Sequence, residues 1–163
     1  MVLYSIPVLF RSASADEILT TLTAALERSD EAPFWKQKAM PLLEAVLSVL
    51  IPLREQNLLF DPEERPAETL TPKLFLRWCD LLSLKTLAFT LSKSNEAHRL
   101  QRTRYDDIKA SAYTEIDLEI LGKYLSGYSV NLSDEWVDFP VSNYNLHIGL
   151  TTLFEKIFKG TPL

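Results

Sequence analysis

An all-α bundle of five to seven helices is the fold class this sequence predicts, and three observations predict it. Apolar residues recur at three- and four-residue steps along most of the chain. Serine, threonine, aspartate or proline precedes each periodic run, as helix starts require. Only four glycines occur, too few for a turn-rich all-β fold. At 163 residues the chain reads as a single domain, and one of this size buries roughly 70% of its unfolded surface without needing disulfides.

The apolar start, Val2, Leu3, Tyr4, Ile6, Val8, Leu9 and Phe10, suits an extended segment, and residues 1–13 read as a connector ahead of a bundle spanning 14–160. Ser14-Ala15-Asp16-Glu17 has the capping-box pattern and opens the first helix, whose apolar face is Ile18, Leu22, Ala25 and Leu26. Ser29-Asp30-Glu31 breaks it. Pro33 suits a first helical position and opens a second, long helix, striped with Trp35, Ala39, Leu42, Leu43, Val46, Leu47, Leu50 and Leu53. That stripe is wide enough for a central helix, with Trp35 as a core anchor. Pro41 predicts a kink and Pro52 lies near the helix end.

Asp61 to Pro66 is a proline-punctuated acidic loop. Thr71-Pro72 and Asp80 cap the next two helices. Lys93 to Lys109 is polar and basic, and its helicity stays open. Tyr113 to Leu125 is expected helical and stopped at Gly127. Ser129 to Pro140 is an acidic loop, and Ser142 to Lys159 forms the last helix, ended by Gly160.

No stretch reaches the ~20 apolar residues that a bilayer span needs, and the start lacks the basic head and small-residue cleavage site of a signal peptide. A single cysteine, Cys79, forms no internal disulfide and points to a reducing cytosol. No cofactor is expected. His98 and His147 show no metal-ligand spacing, and there is no GxSxG elbow and no GxxxxGK[ST] loop. Cys79 sits in an apolar helix as a small hydrophobe, and His147 reads as a capping or partly buried residue. Adjacent carboxylates such as Asp106-Asp107 and Asp134-Glu135 lie in polar segments, where no burial would tune them for acid–base work. The chain is therefore expected to act by binding, not by catalysis.

Charge distribution narrows the binding candidates. From Arg77 to Lys109 seven basic residues face four acidic ones, a surplus of +3 in a chain of net charge -5. Lys93, His98, Arg99, Arg102, Arg104, Tyr105 and Lys109 form its densest part. A basic run with an adjacent aromatic can track phosphates and stack a base, or meet an acidic protein; the bland alternative is a solubilising helix end. In the acidic loop Trp136 and Phe139 are candidate anchors, against the commoner outcome that such aromatics fold back over the core.

Phe34-Trp35-Lys36-x-Lys38-Ala39-x-x-Leu42-Leu43, then Arg54-Glu55 and Leu58, resembles the opening of the all-alpha domain of type IV coupling proteins, the TraD/TraG-like conjugation and secretion ATPases. Ser14 to Ile18 is similar to the helix leading in from their nucleotide-binding domain. Tyr124-Leu125-x-Gly127-Tyr128, His147-x-Gly149 and Phe154 look like the end of the same domain. The likeness runs from about Arg11 to Phe158. It implies a substrate-recognition domain inserted in a larger motor that carries the Walker motifs, hexameric at the inner membrane with this domain on the cytosolic face. The implied partners are relaxase, relaxosome accessory proteins or effector proteins, with single-stranded DNA as a weak ligand. A free-standing helical adaptor or chaperone-like protein that covers a partner's helix is the competing expectation.

Overall fold

The computed structural model describes the backbone of residues 5–105 and 113–160, and the side chains of 5–100 and 113–159. Its described residues form seven helices: α1 (Ile6–Ser12), α2 (Ala15–Arg28), α3 (Pro33–Glu55), α4 (Pro72–Trp78), α5 (Leu81–Tyr105), α6 (Glu119–Ser126) and α7 (Val141–Gly160). The expected all-α bundle is what forms.

Local chemistry starts the helices where the sequence places them. Ser14 Oγ accepts from the Glu17 amide at 3.1 Å, Thr71 Oγ1 from Leu74 at 3.0 Å, and Asp80 Oδ2 from Ser83 at 3.0 Å. Each satisfies one of the donors that a first helical turn leaves open. Pro33 and Pro72 occupy first-turn positions that need no amide hydrogen. The central helix α3 runs unbroken from Pro33 to Glu55. Pro41 lies on its exposed side, so the ring presses on the solvent face and the buried stripe continues past it.

Two expectations fail, each for a visible reason. Ile6 to Phe10 is helical, not extended. Ser5 caps it, Pro7 stands in the first turn, and Ile6, Leu9 and Phe10 fall on one helical face and are buried. β-branched propensity there is outweighed by cap and spacing. Residues 6–13 are accordingly packed into the bundle. Phe10 is fully buried, 5.1 Å from the Phe75 ring and 5.4 Å from that of Phe158.

Residues 113–118 are the second failure, lying outside any helix, with α6 starting only at Glu119. Two side-chain amides hold them instead. Gln56 Nε2 donates to the Thr114 carbonyl and its Oε1 accepts from the Thr114 amide, both at 2.9 Å. Asn95 Nδ2 donates to the Ile116 carbonyl at 2.8 Å, and its Oδ1 accepts from the Ile116 amide at 3.0 Å and from the Tyr113 hydroxyl at 2.6 Å. Alternate residues paired along one edge is the habit of a β-strand, here with amide side chains in place of a neighbouring strand. Where the sequence left the matter open, α5 carries the helix on to Tyr105.

α3 packs against α2, α4, α6 and α7, which makes it the centre of the bundle. Against α7 the fit depends on a glycine. A Cβ on Gly149 would come within 2.8 Å of Cζ3 of Trp35, closer than packed atoms sit. Trp35 is half-buried, a lid over the α7 backbone and not the fully buried anchor expected. Gly149→Ala should therefore destabilise the fold by about 1–3 kcal/mol through overpacking, despite alanine's better helix propensity. The same change in a Trp35→Leu background should cost distinctly less. A thermodynamic cycle from urea unfolding checks this; additive costs would show that the two sites do not touch.

Candidate functional site

The two binding segments suggested by the sequence meet in one place. An open cleft of about 450 Å³ is lined by Ser92, Asn95 and Arg99 of α5, residues 115–118 and Leu132 of the acidic loop. Lysine 85 sets the loop against the helix. Its side chain is buried, only 2% exposed, and Nζ donates to the backbone carbonyls of Leu132, at 3.3 Å, and Asp134. Burial lowers the ammonium's pKa, while the Asp134 carboxylate acts in the opposite direction.

The described basic residues do not present bare charge. Arg99 is exposed, and its Nε lies 2.7 Å from Oε1 of Glu115. Lys93 stands 3.5 Å from Glu96 and 5.6 Å above the Phe89 ring. His98 is mostly shielded, its Nδ1 3.7 Å from Glu115 and its ring edge-on to Tyr113. The side chains of Arg102, Arg104 and Tyr105, and all of Lys109, lie outside the described residues. The loop aromatics divide. Trp136 is 88% exposed, whereas Phe139 is 5% exposed and edge-on to Tyr128 and Tyr144. Phe139 is therefore a core residue closing the loop's base, not a surface anchor.

A second polar cluster escaped sequence reasoning. His147 is 1% exposed, not partly buried. Its Nδ1 lies 2.7 Å from the Cys79 carbonyl, so that nitrogen carries the proton. Nε2 is then the acceptor, with the Tyr124 hydroxyl at 2.8 Å and the Tyr128 hydroxyl at 3.1 Å. The cluster ties α6 and α7 to the end of α4. Burial raises the Tyr124 hydroxyl's pKa and the Cys79 thiol's well above their usual values. The thiol thus stays protonated, a poor nucleophile. Among the described residues no group of three or more His, Cys, Asp or Glu is placed to hold a metal ion.

Comparison with known proteins adds no identity. No family model matches the chain, and no curated protein and no solved structure matches it. Among the described residues no helix is long and apolar enough to cross a membrane.

The buried histidine has a consequence for pH. Desolvation lowers its pKa below 6.5, the Cys79 carbonyl and the Asp80 charge acting against that. The unfolded state then takes up the proton first. Stability is full above pH 6.5 and falls as pH drops below it, by at most about 1.4 kcal/mol per pH unit from this one group. The lowered carboxyls of Asp61 and Glu63 act only below their usual range near pH 4, so between pH 6.5 and 5 the difference between wild type and His147→Gln reports this histidine. Urea midpoints should fall across that window more steeply in wild type than in His147→Gln; equal slopes would refute this.

Proposed function

We propose that this chain is a non-catalytic substrate-recognition domain of a type IV secretion or conjugation coupling protein. On this reading it docks relaxase, relaxosome accessory proteins or effector proteins at the cytosolic mouth of the motor. One observation supports it above others: residues that carry the family resemblance, far apart in sequence, pack together. Trp35 lies on Gly149, and Tyr124 and Tyr128 bond to His147. The likeness is then to one spatial unit and not to scattered residues. The docking surface would be the cleft between α5 and the acidic loop, with Trp136 beside it in sequence as an exposed anchor.

The electrostatics favour protein over DNA. Arg99 and Lys93 already face carboxylates, and the chain is acidic overall. Titrating the chain with labelled single-stranded DNA and with a relaxase or effector protein, at two salt concentrations, separates the two. Protein binding should saturate at fixed stoichiometry and weaken about tenfold or more in Trp136→Ala, as for an exposed aromatic hot spot, with helicity unchanged. DNA binding should be weak and steeply salt-dependent. Failure to bind either protein at low salt would refute the reading.

The helical adaptor remains the second reading, favoured by one feature. Val141 and Ile148, seven residues apart on one face of α7, are 73% and 62% exposed. Such a pair suits a partner's apolar helix, and Ile148→Glu would abolish that interaction while sparing docking at the cleft.

A further inference from the structure

The segment that lines the cleft is bonded along one edge in the manner of a β-strand, through Gln56 and Asn95, and its other edge is open. Thr114 and Ile116 direct their amides and carbonyls to Gln56 and Asn95. In an extended backbone successive residues point to opposite edges, so the N–H and C=O of Glu115 face the other way. Among the described residues nothing bonds to either group. Folded chains seldom leave such a pair unmet unless water or a ligand reaches it, and the open cleft beside Glu115 admits one.

Charge indicates what kind of ligand. The Glu115 carboxylate is matched by Arg99 at 2.7 Å. Asp117, two residues along, accepts from the Glu119 amide at 2.9 Å and faces no lysine, arginine or histidine among the described residues. An added strand would lie alongside both, with one unmatched carboxylate to meet. We propose that this edge takes an extended segment of a partner polypeptide, which pairs through its backbone with Glu115 and sets a lysine or arginine side chain against Asp117. Strand addition of this kind draws affinity from main-chain hydrogen bonds and selectivity from alternate side chains. It rests on the recognition reading above and specifies the form in which the partner is bound.

The probe is an octapeptide of alternating lysine and threonine, which favours extended backbone, with the glutamate–threonine octapeptide as control. Hydrogen exchange of the full chain is followed amide by amide. With the lysine peptide at millimolar concentration, exchange at Glu115 should slow by about tenfold, and the glutamate peptide should leave it unchanged. Asp117→Asn, at an exposed position, should weaken the lysine peptide several-fold and leave the unliganded exchange pattern intact. No slowing at Glu115 with the lysine peptide, or equal slowing with both peptides, overturns the proposal. The relaxase or effector titration separates this failure from that of the broader reading. If such a protein binds while the Glu115 amide stays unprotected, strand addition is wrong and recognition stands; if none binds, recognition itself has failed.

Discussion

Phe75→Ala should cost about 3–5 kcal/mol of folding stability, the range for emptying a buried aromatic site. Phe75 is fully buried, and its ring centroid lies 5.1 Å from Phe10, 5.6 Å from Phe154 and 5.9 Å from Phe158. These rings come from α1, α4 and α7, so the cavity would open where three helices meet and no single one can shift to fill it. At about 2–4 °C per kcal/mol for a chain of this size, the melting temperature should fall by roughly 6–20 °C. The urea m-value should hold, because the folded and unfolded surfaces barely change. A loss below about 1 kcal/mol would mean that the four rings are not packed as described.

Asn95→Leu should cost nearly as much, about 2–4 kcal/mol, by a different route. Asn95 is buried, and one side chain serves both the amide and the carbonyl of buried Ile116. Leucine fills the space but leaves two buried polar groups unmet, each costing about 1–3 kcal/mol. Gln56 makes the same paired contact with Thr114, in the open. Gln56→Ala should therefore cost less than about 1 kcal/mol, since water takes over both bonds. Thermal melts of the two variants, with exchange at the Ile116 amide, test the contrast. Equal costs would show that burial does not set the value of these clamps.

That clamp also marks the limit of what the sequence discloses. Helix starts were legible at Ser14, Pro33, Thr71 and Asp80 because a cap is a contact within three residues. The apolar stripe of α3 was legible because its period is local. The non-helical segment at 113–118 was not, since Gln56 and Asn95 lie 58 and 21 residues away from the groups they hold. Tyr-Thr-Glu-Ile carries some β preference, but it leads straight into a helical run. The His147 cluster was hidden for the same reason, its partner carbonyl at Cys79 lying 68 residues back. At the candidate site, the basic character of the run is legible in the sequence, but its pairing is not, because Glu115 stands opposite Arg99 only once the chain has folded. One signal was available and missed: Lys85 falls on the face that carries Leu81, Leu84, Ala88 and Leu91, where a lysine has to find partners.

Those partners are carbonyls, which every residue type offers alike. The acidic loop is therefore moored in good part by its main chain, and exposed Glu135 and Trp136 are released from the task of holding it in place. Homologous chains could exchange Glu135 or Trp136 freely while the loop kept its path, provided a lysine remained at 85 and no proline stiffened the two accepting positions. Divergence in that loop would then change what the surface selects without changing how the protein folds, a separation of the kind antibody frameworks maintain beneath their variable loops.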